Sequence, residues 1–158
     1  MVWGGRRSAA GAGVLLAFGL GAASADSLPG HDPYSRLSAA DAVVLAVKAD
    51  AHEGGAVRLT VYDNPATFLE QPASRHAATV GDDGLAVVEV RGLKAGEYAF
   101  VAYLDENGDG KLNRNALGKP KEPYIFSNDV KPKLKKPSFE ETKVSVAPGE
   151  VVVLTLKS

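Results

Sequence analysis

Residues 56–62 have the sequence AVRLTVY, and their alternation decides the fold class. Aliphatic side chains fall on one face of an extended chain, at Val57, Leu59 and Val61. The side chains between them carry polar groups, at Arg58, Thr60 and Tyr62. Because successive side chains of a strand point to opposite faces, this period of two predicts a β-strand with one buried face.

Short runs of the same kind recur on both sides of this strand. Apolar and β-branched residues predict further strands at 42–47, 75–80, 85–90, 97–104, 142–146 and 150–157. Turn-forming residues separate several of them, at Asp82-Asp83-Gly84, Lys94-Ala95-Gly96 and Pro148-Gly149. About seven short strands at this spacing, without a long helix, predict a single all-β domain over residues 41–158, an antiparallel β-sandwich.

One short helical turn is predicted between these strands, at residues 64–70. Asn64 is a good N-cap residue, and Pro65 suits the first helical position. We expect the side chains of Phe68 and Leu69, which follow this turn, to pack in the core.

The N-terminus has the three parts of a secretory signal peptide. Arg6 and Arg7 form a short positive region, and an apolar run follows at residues 9–22. Ala23-Ser24-Ala25 then provides the small residues that signal peptidase recognises. The apolar run is too short and too rich in glycine for a retained membrane helix. Removal of residues 1–25 during export by the general secretory route would place the protein in the periplasm or outside the cell.

The rest of the composition narrows the function classes. Residues 26–40 are rich in Pro, Ser and Gly and are predicted to form a flexible lead-in.

Beyond the signal, no stretch approaches the length of a transmembrane helix. Loss of the signal leaves 16 Lys and Arg against 19 Asp and Glu side chains, a balance that does not indicate nucleic-acid binding. The chain has no cysteine, which excludes disulfides and thiolate-bound metals, so stability must come from the core or another bound metal.

The most unusual segment is 105–139, which contains many charges and four prolines. Its first nine residues, DENGDGKLN, place oxygen-bearing side chains at alternate positions, on Asp105, Asn107 and Asp109. Side chains at positions one, three and five of a tight loop can converge on one ion, as in the first part of an EF-hand calcium loop. Gly110 would allow the turn, and Lys111 would contribute its backbone carbonyl. The segment therefore predicts a Ca²⁺ site.

The calcium pattern is incomplete at position twelve, where Ala116 stands in place of the usual bidentate acid. The missing ligand could come from Asn113, Asn115, Glu122 or water. Such a site would bind weakly, with a dissociation constant of about 10⁻⁴–10⁻³ M. The alternative is a polar turn without an ion, because Asp, Asn and Gly are also good turn formers.

Several motifs in series resemble a bacterial family of secreted proteins, the domain of unknown function 2141 family. The matching motifs are Leu93 to Tyr98, which includes Gly96-Glu97-Tyr98, then Asp105 to Asn113, Leu117 to Tyr124, Phe126-Ser127-Asn128 and Pro137 to Glu140. Their order and spacing resemble the family's pattern over about residues 55–157. The chain departs from it at Leu104-Asp105, where the family often has His-Asp, and at Ile125, where it often has Gly. The resemblance implies an exported, immunoglobulin-like or transthyretin-like β-sandwich with no established activity.

A possible partner surface follows the loop, at Tyr124, Phe126 and Asn128. An aromatic pair beside amides could bind a sugar or a peptide, or could pack the long segment onto the sandwich. Basic residues cluster in the same segment, at Lys111, Arg114, Lys119, Lys121, Lys131, Lys133, Lys135 and Lys136. They could bind an anionic partner such as lipid headgroups or acidic glycans, or could simply be solvated.

Catalysis has little support in the sequence. The three histidines, His31, His52 and His76, lack partners at the spacing of metal-binding motifs, and no GxSxG motif occurs. The leading hypothesis is an exported binding or structural module with a calcium-ordered loop. The alternatives are a metal-free module that binds a cell-envelope component or glycan, and a hydrolytic enzyme.

Overall fold

The computed structural model of the protein describes residues 34–50, 52–132 and 135–157. The predicted signal peptide lies outside these ranges, as do most of the predicted lead-in and two residues of the long segment, Lys133 and Leu134. Within the described part of the lead-in, Ser35–Leu37 forms a 3₁₀ turn.

Eight strands and one short helix make up the described fold. In chain order the strands are β1 (Ala42–Lys48), β2 (Ala56–Tyr62), β3 (Ser74–Thr79), β4 (Leu85–Arg91), β5 (Gly96–Asp105), β6 (Tyr124–Phe126), β7 (Lys143–Val146) and β8 (Val151–Thr155). The helix α1 (Phe139–Thr142) precedes β7. All seven strands predicted from sequence are present, within a few residues of their predicted ends, which confirms the all-β prediction.

The strands form two sheets. The first has three strands in the order β4-β1-β8, and the second has five, in the order β3-β2-β5-β6 with β7 also paired to β5. The strands β6 and β7 share one edge of β5, where β6 pairs near its C-terminal end and β7 near its N-terminal end. The core lies between the sheets and includes the alternating residues Val57, Leu59 and Val61 of β2. The period-two pattern therefore identified the buried face correctly.

One strand pairing corrects the prediction of a fully antiparallel sandwich. The first and last strands, β1 and β8, are parallel neighbours, with Val44 opposite Val151 and Lys48 opposite Thr155. A parallel pair needs a long connection between its strands, and here the other six strands provide it. No local sequence signal marks such a pairing, because it joins the two ends of the domain.

The outer face of the five-stranded sheet carries a second hydrophobic cluster. Its buried members are Tyr62, Ala99, Val101, Phe126 and Phe139. The predicted helical turn lies beside it as a 3₁₀ turn at Pro65–Thr67, where the Asn64 side chain accepts a hydrogen bond from the Ala66 amide at 2.9 Å. Contrary to the prediction, Phe68 and Leu69 pack against this outer cluster and not in the core between the sheets. The outer face is therefore the side of the sheet on which the long segment lies.

Candidate functional site

The candidate calcium loop begins where β5 ends. Asp105 is the last residue of this strand and lies on the outer face of the sheet. It pairs with Ala56 in the register, so the outward-facing Arg58 on β2 is its diagonal neighbour. The strand thus holds the first predicted ligand at the edge of the sheet. The loop that follows returns to this residue, since the Gly110 amide donates to Asp105.

The carboxylate of Asp105 is buried, with the residue only 4% exposed. Its Oδ2 atom accepts hydrogen bonds from Arg58 Nε at 3.0 Å and from the Gly110 amide at 2.9 Å. Its Oδ1 atom is also buried, and it has no hydrogen-bond partner among the described residues. A buried carboxylate oxygen without a partner is costly, and such an atom indicates a missing ligand such as a water or an ion.

The carboxylate of Asp109 lies on the exposed side of the same loop. Its Oδ1 atom accepts a hydrogen bond from the Lys111 amide at 2.8 Å. Its Oδ2 atom accepts from the side-chain amides of Asn113 at 3.1 Å and Asn107 at 3.3 Å. The bond from the Lys111 backbone, followed by the one from Asn113, lowers the pKa of Asp109, because these donors stabilise its ionised form. A carboxylate whose ionised form is stabilised suits a cation site.

The remaining predicted ligands lie in this hydrogen-bonded loop. The Asn107 side-chain oxygen accepts from the Asp109 amide at 3.2 Å, and Asn113 Nδ2 is 3.4 Å from the Lys111 carbonyl oxygen. Gly110 has a φ of 75°, a left-handed conformation that glycine adopts without strain. Hydrogen bonds therefore join residues 107, 109, 111 and 113 to one another, and Asp105 is linked to the same loop through Gly110.

Glu122 holds the two ends of this loop together. It is 5% exposed, and its two oxygens accept hydrogen bonds from the amides of Glu106 at 3.1 Å and Asn113 at 2.9 Å. The sequence interpretation considered Glu122 as a substitute ion ligand. The structure gives it two backbone hydrogen bonds that close the loop, a role that has no signature in the sequence.

The other candidates for the missing ligand belong to a separate hairpin. The side-chain oxygen of Asn115 accepts from the amides of Leu117 at 2.9 Å and Lys119 at 3.0 Å. Ala116, at position twelve of the pattern, is exposed in this hairpin, whose base is a bridge between Arg114 and Pro120. Asn113 and a water consequently remain as candidates for the missing ligand.

Two residues near the loop were missed by sequence reasoning. Arg58 forms an ion pair with Asp105, and its side chain is 36% exposed. Tyr103 faces the same side of the sheet, and its pKa is raised by burial first and then by the negative charge of Asp105. The alternation in residues 56–62 predicts the outward face for Arg58, but only the pairing of β2 with β5 shows that Arg58 meets Asp105.

Comparison with known protein families identifies the family to which the chain belongs. A family model described as an uncharacterized protein conserved in bacteria, DUF2141, matches residues 46–153. The chain belongs to the DUF2141 family. The match confirms the resemblance seen in the sequence, and it runs from β1 to β8, so that it includes both sheets and the whole loop. No curated protein matches the chain.

The described part of this DUF2141 protein contains neither an acidic or histidine metal cluster nor a membrane-spanning helix. Among the described residues, no three His, Asp or Glu side chains are grouped so as to bind a metal ion. The predicted calcium ligands are a different kind of set, two carboxylates with two amides and a carbonyl. In the same ranges, no helix is both long and apolar enough to span a bilayer.

The possible partner surface of the DUF2141 chain divides into two parts. Phe126 is buried in the outer hydrophobic cluster, and Tyr124 is half-buried beside it, with the two rings edge to face at 5.9 Å. Asn128 is exposed, and its side-chain amide donates to the Glu141 carbonyl at 3.2 Å. Between them, Ser127 is buried and accepts from the Phe100 amide at 2.9 Å. The aromatic pair thus faces the sheet surface, whereas Asn128 stabilises the adjoining turn.

Proposed function

We propose that this DUF2141 protein is an exported binding or structural module whose loop at residues 105–113 is ordered by a calcium ion. The proposal of export rests on the signal-peptide pattern in residues 1–25. The observation that supports the ion is the buried and unpartnered Oδ1 atom of Asp105, at the first position of an alternating oxygen pattern.

The proposed ligand set suits a hard divalent cation. Asp105 Oδ1, the side chains of Asn107, Asp109 and Asn113, and the Lys111 carbonyl would supply oxygens, and waters would complete the coordination of six to eight. Two carboxylates balance the charge of the ion. Binding would require the Asn107 and Asn113 amides to turn over, so that their oxygens and not their nitrogens face the ion, and the two groups differ little in shape.

The affinity of this site is expected to be low. Arg58 shares the Asp105 carboxylate, and no bidentate acid is present at position twelve, so the charge that attracts the ion is reduced. We expect a dissociation constant of about 10⁻⁴–10⁻³ M, typical of extracellular modules. At calcium concentrations about ten times this value, binding would stabilise the fold by about 1.4 kcal/mol.

Thermal unfolding in calcium and in chelator tests the proposal. Saturating calcium should raise Tm by about 5 °C. Asp109→Ala should abolish the shift, and it should fold because the side chain is exposed. The matched control is Asp83→Ala, another exposed aspartate whose side chain accepts a backbone amide in a turn, at 3.1 Å from Leu85. This control should retain the full calcium-dependent shift.

Terbium luminescence provides a direct readout of binding. Tyr103 lies two residues from Asp105 on the same face, so it should sensitise a Tb³⁺ ion bound at Asp105. Calcium should displace the terbium, and Asp109→Ala should weaken the signal. Equal Tm values in calcium and chelator, together with no calcium-displaceable luminescence, would refute the ion site.

A metal-free binding module is the second candidate function. It is favoured by one observation, a cleft of about 610 Å³ on the outer face of the five-stranded sheet, which includes Tyr124 and Phe126. In this case the loop would be held by its hydrogen bonds alone, and binding of a partner would be unaffected by chelator.

A further inference from the structure

The cleft beside the calcium loop has a floor of side chains from three adjacent strands. They are Thr60 and Tyr62 of β2, Val101 and Tyr103 of β5, and Tyr124 and Phe126 of β6. Register explains their alignment, since Tyr103 is opposite both Arg58 and Tyr124, and Val101 is opposite both Thr60 and Phe126. The hairpin residues Arg114, Gly118, Lys119 and Pro120 form one wall, and Pro132, Lys135, Lys136 and Pro137 contribute to the other.

The floor is aromatic but carries polar groups. Four of its side chains are rings, and three of these are tyrosines, Tyr62, Tyr103 and Tyr124. Within the described part of the chain, their hydroxyl groups make no hydrogen bond to protein. A surface of rings with free hydroxyls offers both an apolar platform and hydrogen-bonding groups to a ligand that has the same mixture.

The charged side chains that line the cleft all have one sign. Arg114 and Lys119 line one wall, and Lys135 and Lys136 line the other. Every charged side chain among the described lining residues is a cation, although the chain as a whole has a net charge of −1. Like charges gathered on both sides of a concave surface create a local positive potential, which attracts anionic ligands.

We propose that this cleft binds an acidic saccharide, a sugar chain that carries carboxylate or phosphate groups. The cations would pair with the acidic groups, the rings would contact the apolar faces of the sugars, and the tyrosine hydroxyls would bond to the sugar hydroxyls. A purely aromatic anion would use the charges and the rings but leave those hydroxyls without partners. The volume of about 610 Å³ lies within the range of small-molecule sites, which favours a few sugar units over a protein partner.

Calorimetric titration with trigalacturonate tests this proposal, with maltotriose as a neutral saccharide of the same length. Trigalacturonate should bind more tightly than maltotriose, and its affinity should fall as salt is added, because exposed charges are screened. Titration with glucose 6-phosphate separates phosphate from carboxylate recognition. Titration with benzoate tests for a simple aromatic anion. Equal binding of trigalacturonate and maltotriose, binding of benzoate alone, or no binding of either acidic sugar would overturn the proposal.

Substitutions of residues that line the cleft test whether the saccharide binds there. Arg114→Ala and Lys119→Ala should each weaken trigalacturonate binding by about three- to fivefold, the effect of losing one exposed charge pair. Lys94→Ala, an exposed lysine on a distant turn, is the matched control and should bind normally. Tyr124→Leu should weaken trigalacturonate and glucose 6-phosphate alike, because it removes a ring and a hydroxyl. Normal binding by all three cleft variants would show that the saccharide binds elsewhere, against the proposal.

The saccharide site and the calcium site are tested separately. Titrations in calcium and in chelator distinguish them, since neither the cations of the cleft walls nor the rings of its floor depend on an ion. Saccharide binding that persists in chelator supports the cleft even if the terbium experiment fails. A calcium-dependent Tm shift without saccharide binding would retain the ion and reject the cleft.

Discussion

At Glu122, one buried side chain fixes the geometry of a charged loop. Its two oxygens accept the amides of Glu106 and Asn113, which lie on opposite sides of the candidate ion site. Hydrogen bonds to a charged acceptor are stronger than neutral ones, and these two also provide partners for backbone groups at the base of the loop. Glu122 therefore closes the loop on which the proposed ion site lies.

Glu122→Ala should destabilise the fold by about 2–4 kcal/mol, because two amides lose a charged acceptor. Urea unfolding measures this change. Glu106→Ala is the matched control, since residue 106 contributes only its backbone amide to the pair and its side chain is exposed. The control should lie within about 0.5 kcal/mol of the wild type. A Glu122→Ala midpoint equal to that of the control would contradict this role.

The titration of Asp109 provides a second prediction at this scale. Its pKa is lowered by the Lys111 amide first and then by Asn113, so the folded value lies below the unfolded value. A depressed folded pKa adds stability above the unfolded pKa, and this contribution is lost as pH falls through the folded pKa. NMR titration of the carboxyl carbon in calcium-free buffer should give a lower pKa in the folded protein than in urea. Asp109→Asn assigns the signal, and equal values in both states would refute the prediction.

The candidate residues of the loop were easier to predict from the sequence than the distant residues that contact them. The spacing of Asp105, Asn107 and Asp109 indicated a loop in which their side chains meet. In the structure Asn107 bonds to Asp109, and Asp105 accepts from the Gly110 amide of the same loop. The ion pair between Arg58 and Asp105 could not be predicted, because it joins residues 47 positions apart. Only the exact register of β2 on β5 makes them neighbours, and a shift by one residue would place Arg58 in the core.

At the scale of elements, the long segment is more ordered than its composition indicated. Its described part contains β6 and a 3₁₀ turn at Ser127–Asp129, and α1 begins at its last residue, Phe139. All three elements were missed from sequence. The strand β6 has only three residues, so its alternation is too brief to detect, and its pairing with β5 decides its conformation. A signal did exist for α1, since Ser138 and Glu141 form a capping box.

Ser138→Ala should destabilise the protein by about 1 kcal/mol through loss of this cap. The Ser138 hydroxyl accepts from the Glu141 amide at 3.3 Å, and Phe139 beside it is buried in the outer hydrophobic cluster. The effect should appear as a lower urea midpoint with an unchanged slope. Ser145→Ala, at an exposed position in β7, is the control and should change little. A normal midpoint for Ser138→Ala would mean that α1 does not need its cap.

At the scale of the whole molecule, the two sheets and the core between them follow from short alternating strands. The sequence was sufficient to predict this arrangement. The order of strands was not predictable in the same way. Many contacts join residues far apart in the chain, above all the pairing of β1 with β8. Such topologies depend on which apolar faces fit together, and that choice is made by the complete chain and not by any local pattern.

The parallel pairing of β1 with β8 has a mechanical consequence. The N-terminal end of β1 and the C-terminal end of β8 lie at opposite ends of the pair, with Val44 beside Val151 and Lys48 beside Thr155. A force that pulls the two chain ends apart would therefore slide one strand along the other. All the hydrogen bonds of the pair would be loaded together in shear, whereas an antiparallel pair held at adjacent ends would open one bond at a time. The topology thus makes the domain resistant to tension applied along its chain.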